Sequence, residues 1–288
     1  MKRLIAGLFL LAITTTLTAA DKTSGAEKLG WKLALQSWTG NYMLKDGKKV
    51  KLSLFESIDV ANKLGLKFIE VYPGQELSPT DKAKFGPGMT EEQMKTTLAK
   101  AKDAGLTIID CGVIGIPAKE DEARKLFTWA KKMGITTIVS EPDPTALKMI
   151  DKVAGEFDIK VAIHDHPKPS KYWDPEYTNG LCRELKNVGL CADVGHWKRS
   201  GLEPTQVLNT YGEKVFSSHF KDLVPNGKNM KDVVWGTGES KAADMLKALK
   251  AKNFKGPIAI EFETEWELST LQKCVDFFHA EANKLAAE

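Results

Sequence analysis

The feature that most constrains this chain is a regular alternation of two kinds of segment from Trp31 to the C-terminus. Short runs rich in β-branched and apolar residues alternate with segments whose apolar residues recur at helical spacing. We predict strands at residues 33–36, 68–72, 107–111, 136–140, 160–164, 189–193, 215–219 and 258–262. Helices are predicted near residues 53–64, 90–104, 118–133, 144–156, 174–187, 203–212, 239–252 and 268–286. Each strand is thus followed by a helix or by a loop that contains one.

The strands have the character of a parallel sheet buried on both faces. Residues 107–111 and 136–140 form continuous runs without alternation of apolar and polar residues, which is typical of such strands. Three helical segments end at Gly65, Gly105 and Gly134, each leading directly into a strand, as helix-to-strand turns require. No Gly-x-Gly-x-x-Gly follows the first strand, which disfavours a doubly wound sheet. The sequence therefore predicts an α/β fold, a single (β/α)8 TIM barrel, with no linker that would divide it.

The N-terminus has the layout of a secretory signal peptide over residues 1–20. Lys2 and Arg3 precede an apolar run that is too short for a membrane span, which needs about 20 residues. The first cysteine is Cys111, so the cleavage point offers no site for a lipid anchor. We expect an exported, periplasmic protein without a membrane anchor, whose barrel domain covers residues 21–288.

The charge of the chain bears on its binding partners, and the positions of its cysteines bear on disulfide formation. The chain has 41 Lys and Arg against 38 Asp and Glu, a formal net charge of +3, which falls to +1 when Lys2 and Arg3 leave with the signal peptide. No stretch concentrates the basic residues into a stripe, so no nucleic-acid partner is expected. The cysteines lie in apolar strand-like or helix-like runs, which favours buried free thiols over disulfides: Cys111, Cys182, Cys191 and Cys274.

Potential metal ligands follow five consecutive predicted strands. In a TIM barrel, the residue at the carboxyl end of a strand points toward the active-site mouth. Strands 4 to 8 run in turn into Glu141, His164 and His166, Asp193 and His196, His219 and Lys221, and Glu261. Packing alone does not explain this series, because unpaired buried charge is costly. Carboxylate oxygens combined with imidazole nitrogens suit Mn²⁺, Co²⁺, Zn²⁺ or Fe²⁺, and we expect one divalent ion.

The same residues resemble a known family. Asp193-x-Gly-His196, His219-x-Lys-Asp222 and the terminal Ile-Glu261 resemble the xylose-isomerase-like TIM barrels of the sugar phosphate isomerase/epimerase superfamily, over nearly the whole mature chain. Residues 164–173, 193–201 and 235–238 further resemble an exported bacterial branch of that superfamily. In its sugar epimerases a Glu, an Asp, a His and a Glu from strands 5 to 8 hold the metal. The resemblance implies that Asp193, His219 and Glu261 are the last three of these ligands.

The fourth ligand is the point at which this chain departs from that pattern. Strand 5 offers His164 instead of Glu, and the nearest carboxylate is Glu141 after strand 4. We assign Glu141 as the fourth metal ligand, with His164 as its rival. The epimerases use the two glutamates as an acid/base pair, so proton transfer here falls to Glu141, Glu261 or an imidazole. Because a bound cation depresses the pKa of a carboxylate, we predict His164 or His196 as the base.

Further side chains near these strand ends suit a sugar ligand. Indole and phenol rings can cover the apolar face of a sugar, and imidazole and ammonium groups can hold its oxygens. The candidates are Trp38, Tyr72, His166, Trp197, Lys221 and Trp235. An ion pair with Asp222 is the alternative role of Lys221. Gly236-Thr-Gly238 can cradle an oxyanion but lacks the lysine of a phosphate-binding loop, so a phosphorylated substrate is not expected.

These observations predict a divalent-metal-dependent isomerase or epimerase that removes a proton next to the carbonyl of a non-phosphorylated carbohydrate. Two alternatives stay open: a lyase or hydratase acting on a 3-keto-glycoside at the same site, and a non-catalytic periplasmic carbohydrate-binding protein. A nuclease of the same superfamily is disfavoured, because the further histidines that those enzymes carry at strands 2 and 3 are missing. The sequence leaves the substrate, the metal and the oligomeric state open.

Overall fold

The computed structural model describes residues 23–288, so the predicted signal peptide lies outside the described residues. Eight parallel strands close into one barrel, in which neighbours in sequence pair and the last pairs with the first. They are barrel strands 1 to 8: Lys32–Gln36, Phe68–Val71, Thr107–Cys111, Thr137–Ser140, Lys160–Ile163, Val188–Asp193, Val215–Phe220 and Pro257–Ile260. The predicted (β/α)8 barrel is confirmed, and every predicted strand matches one of these.

Helices surround the barrel and bury their apolar faces against it. They are α1 Gly25–Leu29, α2 Leu54–Lys63, α3 Glu91–Asp103, α4 Glu120–Lys132, α5 Leu147–Phe157, α6 Pro175–Cys182, α7 Val194–Arg199, α8 Pro204–Tyr211, α9 Ala242–Ala251 and α10 Leu268–Ala287. All of these except the short helices α1 and α7 match helices predicted from the sequence. The first, α1, is capped by Ser24 and Glu27 and is tied to α10 by a 2.8 Å hydrogen bond from the Gly25 amide to Asn283.

The helix-to-strand turns have the geometry that their glycines predict. Gly65, Gly105 and Gly134 adopt φ values of +70°, +71° and +74°, a left-handed conformation that L side chains rarely adopt. Helices α2 and α3 begin at capping boxes in which the Ser53 and Thr90 hydroxyls accept from backbone N–H groups. These local signals therefore mark where helices α2 and α3 begin and where the chain enters barrel strands 2, 3 and 4.

Two short antiparallel hairpins decorate the barrel. One pairs Met43–Lys45 with Lys48–Val50 after barrel strand 1, and the other pairs Asp222–Asn226 with Asn229–Val233 after barrel strand 7. The first turns at Asp46-Gly47, where both residues have positive φ, a standard signal for a two-residue hairpin. Neither hairpin is among the elements predicted above, although Asp46-Gly47 is a sequence signal for the first.

The cysteines lie in the interior, as their apolar sequence context predicts. All four cysteines are buried and free, which confirms the expectation of unpaired thiols. Within residues 23–288, no helix combines the length and the apolar character needed to cross a bilayer.

The Gly236-Thr-Gly238 segment binds a carboxylate of the chain itself. The backbone N–H groups of Gly236 and Gly238 each donate to Asp222 Oδ2 at 2.9 Å, and those of Leu223 and Ser240 donate to Oδ1 at 3.1 and 3.0 Å. A Cβ on Gly238 would lie 2.4 Å from the Asp222 carboxylate, so only glycine fits there. The cradle expected for an external oxyanion is therefore filled by Asp222.

Asp222→Ala should destabilise the protein by about 3 kcal/mol, because four backbone donors lose a charged acceptor in a largely buried place. For a domain of this size, that corresponds to a fall in Tm of roughly 6–12 °C. Thermal denaturation followed by circular dichroism measures the change. Asp244→Ala, at an exposed site on α9, is the control and should stay near the wild-type Tm. An Asp222→Ala protein that melts with the wild type would contradict the structural role.

Candidate active site

A cavity of about 250 Å³ lies at the carboxyl-terminal mouth of the barrel. One side is mainly apolar and comes from the segments after barrel strands 1 to 3, and the other carries imidazole and carboxylate groups from the later strands. The lining residues are Gln36, Trp38, Tyr72, Pro73, Gly112, Val113, His164, His166, His196, Glu261 and Glu263. The cavity thus has the mixed character of a small-molecule site.

Three of the four predicted metal ligands converge below this cavity. Asp193 and His219 are register partners on barrel strands 6 and 7, and Glu261 follows barrel strand 8. His219 Nδ1 lies 3.1 Å from Glu261 Oε2 and 3.8 Å from Asp193 Oδ2. All three side chains are buried. The ends of three neighbouring strands therefore bring one nitrogen and two carboxylates to a common centre.

His164 reaches the same centre from barrel strand 5. Its Nε2 lies 3.7 Å from Asp193 Oδ2, and its Nδ1 lies 3.1 Å from Glu141 Oε1. Glu141 also hydrogen-bonds to His166 Nδ1. Burial raises the pKa of Glu141, but its bonds to His164 and His166 prevail and lower it to about 2. Glu141 is therefore an anion that contacts the two histidines, and His164 stands between it and Asp193.

Both inner imidazoles are held by a carboxylate on their outer nitrogen. Glu70 Oε1 lies 3.0 Å from His219 Nε2 and also accepts a hydrogen bond of 3.0 Å from Gln36 Nε2. Glu141 holds His164 Nδ1 in the same way. When a histidine binds a metal, such a pair keeps the proton on the outer nitrogen and leaves the inner nitrogen to the cation. Burial lowers the pKa of His219, but Cys191, Glu70 and Glu261 raise it well above the ordinary value. Glu70 is not among the site residues predicted from the sequence, although a glutamate within the apolar strand Phe68–Val71 is a usable signal.

These residues fit a divalent cation. Among residues 23–288, His219 Nδ1 is a buried nitrogen that lies close to the Glu261 and Asp193 carboxylates but has no well-aligned hydrogen bond to any group. Donor atoms of His164, Asp193 and His219 all lie within 4.8 Å of one another, and Glu261 adjoins them. Two imidazoles and two carboxylates form a donor set that first-row divalent metals accept. In this buried group the further donor is His164, the rival, whereas Glu141 belongs to a second group of potential ligands with His164 and His166.

Lys221 is buried between the two carboxylates of this centre. Its Nζ donates to Asp193 Oδ2 and Glu261 Oε2 and lies 3.6 Å from Glu263 Oε2. Burial lowers its pKa, but Asp193 and Glu261 outweigh this and raise it well above the ordinary value, so the ammonium stays charged. The alternative ion pair with Asp222 does not form. A Cβ on Gly195 would lie 2.5 Å from the Lys221 side chain, which explains the glycine of the Asp-x-Gly-His motif.

His196 and His166 form the wall of the cavity above these donors. The two rings are stacked with centroids 5.3 Å apart and an interplanar angle of 29°. His196 Nε2 lies 3.5 Å from Asp193 Oδ2, and burial lowers the pKa of His196 to about 3, so the ring is neutral. His166 is half exposed, and its bond to Glu141 raises its pKa. The wall therefore presents two imidazoles with different proton affinities.

The aromatic candidates divide into two groups. Trp38 and Tyr72 line the cavity and contact each other edge to face, with ring centroids 5.1 Å apart. Trp197 and Trp235 are each only 1% exposed and lie in the hydrophobic core, where Trp235 packs on Phe220. The expectation that these two indoles contact a sugar is therefore wrong, because neither ring has a face open to the cavity.

The fold and the site together define the class of this protein. It is a TIM barrel whose mouth brings imidazole nitrogens and carboxylate oxygens together in a candidate metal centre. The family model described as xylose isomerase-like TIM barrel matches residues 58–281. The chain therefore belongs to the xylose isomerase-like TIM barrel family, as the resemblance implies. No curated protein matches the sequence significantly.

Several solved protein structures are similar to this chain in fold. A putative uncharacterized protein from Parabacteroides distasonis ATCC 8503 is 26% identical, with a TM-score of 0.69 over 86% of this chain and 98% of that one. A xylose isomerase-like TIM barrel protein from Mycobacterium smegmatis in complex with magnesium is 13% identical, with a TM-score of 0.68 over 92% and 99%. A D-allulose 3-epimerase from Methylomonas sp. is 13% identical, with a TM-score of 0.63 over 87% and 98%. The last two likenesses show the fold alone.

Proposed function

We propose that this protein is a divalent-metal-dependent isomerase or epimerase that moves a proton next to the carbonyl of a non-phosphorylated carbohydrate. The observation that carries the proposal is the convergence of His164, Asp193, His219 and Glu261 beside a cavity walled by two further histidines. A solved relative of the same fold holds magnesium, and another is an epimerase. Both support this reaction class.

The four converging residues would hold the cation. When bound, a divalent ion supplies polarisation of a carbonyl oxygen, which lowers the cost of removing the adjacent proton. Glu70 and Glu141 would orient His219 and His164, respectively, through the outer ring nitrogens.

His166 is the residue best placed to accept the proton. Its Nδ1 faces Glu141, so Nδ1 carries hydrogen and Nε2 is the basic nitrogen. A carboxylate that fixes the tautomer and stabilises the imidazolium is the arrangement that general-base histidines use. His164 would be occupied as a metal ligand and the neutral His196 has a low pKa, so the base moves from these predicted candidates to His166.

The charge of the cavity favours an uncharged sugar. None of the described residues that line the cavity is a lysine or an arginine. Lys221 and Arg199 lie nearby, but both are already paired with carboxylates. The Gly236-Thr-Gly238 cradle is filled by Asp222. A phosphate group would therefore find no lysine or arginine partner here, whereas Trp38 and Tyr72 offer a surface for the apolar face of a sugar ring.

From the signal-peptide pattern of residues 1–20 we further propose that the protein acts in the periplasm. Cleavage after Ala20 would release the protein into the periplasm, where free sugars and glycosides are accessible and sugar phosphates are scarce. N-terminal sequencing of the periplasmic protein should begin near Asp21, and recovery of only uncleaved chain from the cytoplasm would contradict export.

Solvent exchange tests the reaction. The metal-loaded protein is incubated in D₂O with free ketoses and 3-keto-glycosides, and deuterium at the carbon next to the carbonyl is followed by NMR. We expect incorporation together with an epimer or isomer, and none with Glu261→Gln. Exchange followed by loss of the aglycone or of water would assign the lyase alternative. A protein that binds a sugar but no metal, without exchange, would be a carbohydrate-binding protein and would overturn the proposal.

A further inference from the structure

His196 is held through both of its ring nitrogens. Its Nδ1 lies 3.2 Å from Arg199 Nη1, and its Nε2 faces Asp193 Oδ2 at the wall of the cavity. A guanidinium group has five N–H donors and no acceptor, and it keeps its charge in proteins. His196 Nδ1 must therefore be the acceptor of this bond. The proton of the neutral ring then lies on Nε2.

Arg199 is itself fixed from two directions. Its Nη1 donates to Glu263 Oε2 at 3.0 Å, and its Nη2 donates to Asp232 Oδ2 at 3.1 Å. Asp232 belongs to the hairpin strand Asn229–Val233, and Glu263 follows barrel strand 8. The Arg199 side chain is 19% exposed, so these bonds are largely shielded from water. The planar guanidinium group of Arg199 therefore has a defined orientation relative to His196.

The spacing of the pair follows from helix α7. His196 and Arg199 are three residues apart, and residues three apart lie on one face of a helix. Asp193 caps the same helix by accepting from the His196 amide at 2.8 Å. Helix α7 therefore presents a carboxylate, an imidazole and a guanidinium in a fixed order toward the mouth.

We propose that Arg199 is a positioning residue that keeps His196 in the Nε2–H tautomer, so that His196 donates a hydrogen bond to a substrate oxygen in the cavity that it lines. The 3.5 Å contact of Nε2 with Asp193 Oδ2 is longer than an ordinary N–H···O bond, which leaves this proton available. This role separates the two stacked histidines: His166 accepts a proton, and His196 donates a hydrogen bond. The donor role rests on the proposed function, whereas the tautomer is a property of the protein without substrate.

Nitrogen NMR tests the tautomer directly. The full mature chain is labelled with ¹⁵N-histidine and examined with excess Zn²⁺, which is diamagnetic, and His196→Gln assigns the signals among the five histidines. We expect an unprotonated Nδ1 and a protonated Nε2 for His196. In Arg199→Met the Nδ1 signal should move downfield or gain a protonated fraction, because its donor is lost. A proton on Nδ1 in the wild type, or an Nδ1 signal identical in Arg199→Met, would overturn the proposal.

Steady-state kinetics test the donor role. Arg199→Met should lower kcat by about 10²-fold, as for loss of a donor to developing charge, and should change KM little. Arg199→Lys, which can still donate and pair with Asp232, should recover part of kcat. Arg183→Met, at an exposed arginine beside Glu184, is the matched control. Equal losses in the Met and Lys variants, or a loss confined to KM, would reject positioning. If Arg199→Met fails to fold, the NMR spectrum of the wild-type protein still tests whether Nε2 of His196 carries the proton.

Discussion

His164→Ala should lose the divalent metal, whereas Glu141→Gln should keep it. His164 Nε2 faces Asp193, and its ring belongs to the buried centre that also contains His219. Removing this ring deletes a donor atom and leaves a gap that water enters. Glu141 only holds the outer nitrogen of His164, and loss of such an outer partner typically weakens metal binding by about 10- to 100-fold. A difference of this kind is large enough to separate the two candidates for the fourth ligand.

Metal content after dialysis, measured by elemental analysis, gives the stoichiometry, and titration calorimetry gives the affinity. Glu261→Gln keeps the size of the side chain and removes its charge, so it should lose metal with the fold intact. His279→Ala is the control, because His279 lies on α10 outside the site. If Glu141→Gln loses the metal and His164→Ala retains it, Glu141 is the ligand and the first assignment from the sequence is restored.

The barrel is readable from the sequence because its signals are local. Each strand is a short apolar run, and a glycine such as Gly65 marks the position where a helix must stop. The set of strand ends is also readable, because parallel strands in a barrel all deliver their last residues to one mouth. Asp193, His219 and Glu261 come together for this reason alone.

The partners of those residues depend on three-dimensional packing. Glu70 contacts His219 across 149 positions of sequence, and no spacing rule predicts that bond. The distinction between His164 and Glu141 depends on which side chain points inward, and neighbouring strand ends do not encode this. The sequence position of Trp197, just after a strand end, suggests contact with a ligand. In the structure its ring faces the core because helix α7 turns it inward. Sequence therefore predicts which residues reach the mouth more reliably than it predicts their roles.

His166→Ala should bind metal normally and lose about 10²- to 10⁴-fold in turnover, the usual range for a general base. His166 lines the cavity and contacts Glu141, and it lies outside the buried donor set of His164, Asp193 and His219. Since Glu141, His164 and His166 form a second group of potential ligands, a loss of metal in His166→Ala would make His166 a ligand instead of the base. A base acts only as the proton moves, so kcat and kcat/KM should fall together. Deuterium exchange into the bound carbohydrate should fall by the same factor, since it reports the proton-transfer step directly.

His196→Ala provides the contrast that assigns the two roles. Its Nδ1 accepts from Arg199, so the ring proton lies on Nε2 and no lone pair of this ring is available for a substrate proton. Loss of His196 should therefore slow turnover less than loss of His166, and added imidazole should rescue only His166→Ala by restoring a base in the half-exposed space. Normal exchange in His166→Ala together with its collapse in His196→Ala would instead make His196 the base. That result would also require Nδ1 of His196 to release its bond to Arg199, which the nitrogen spectrum detects independently of activity.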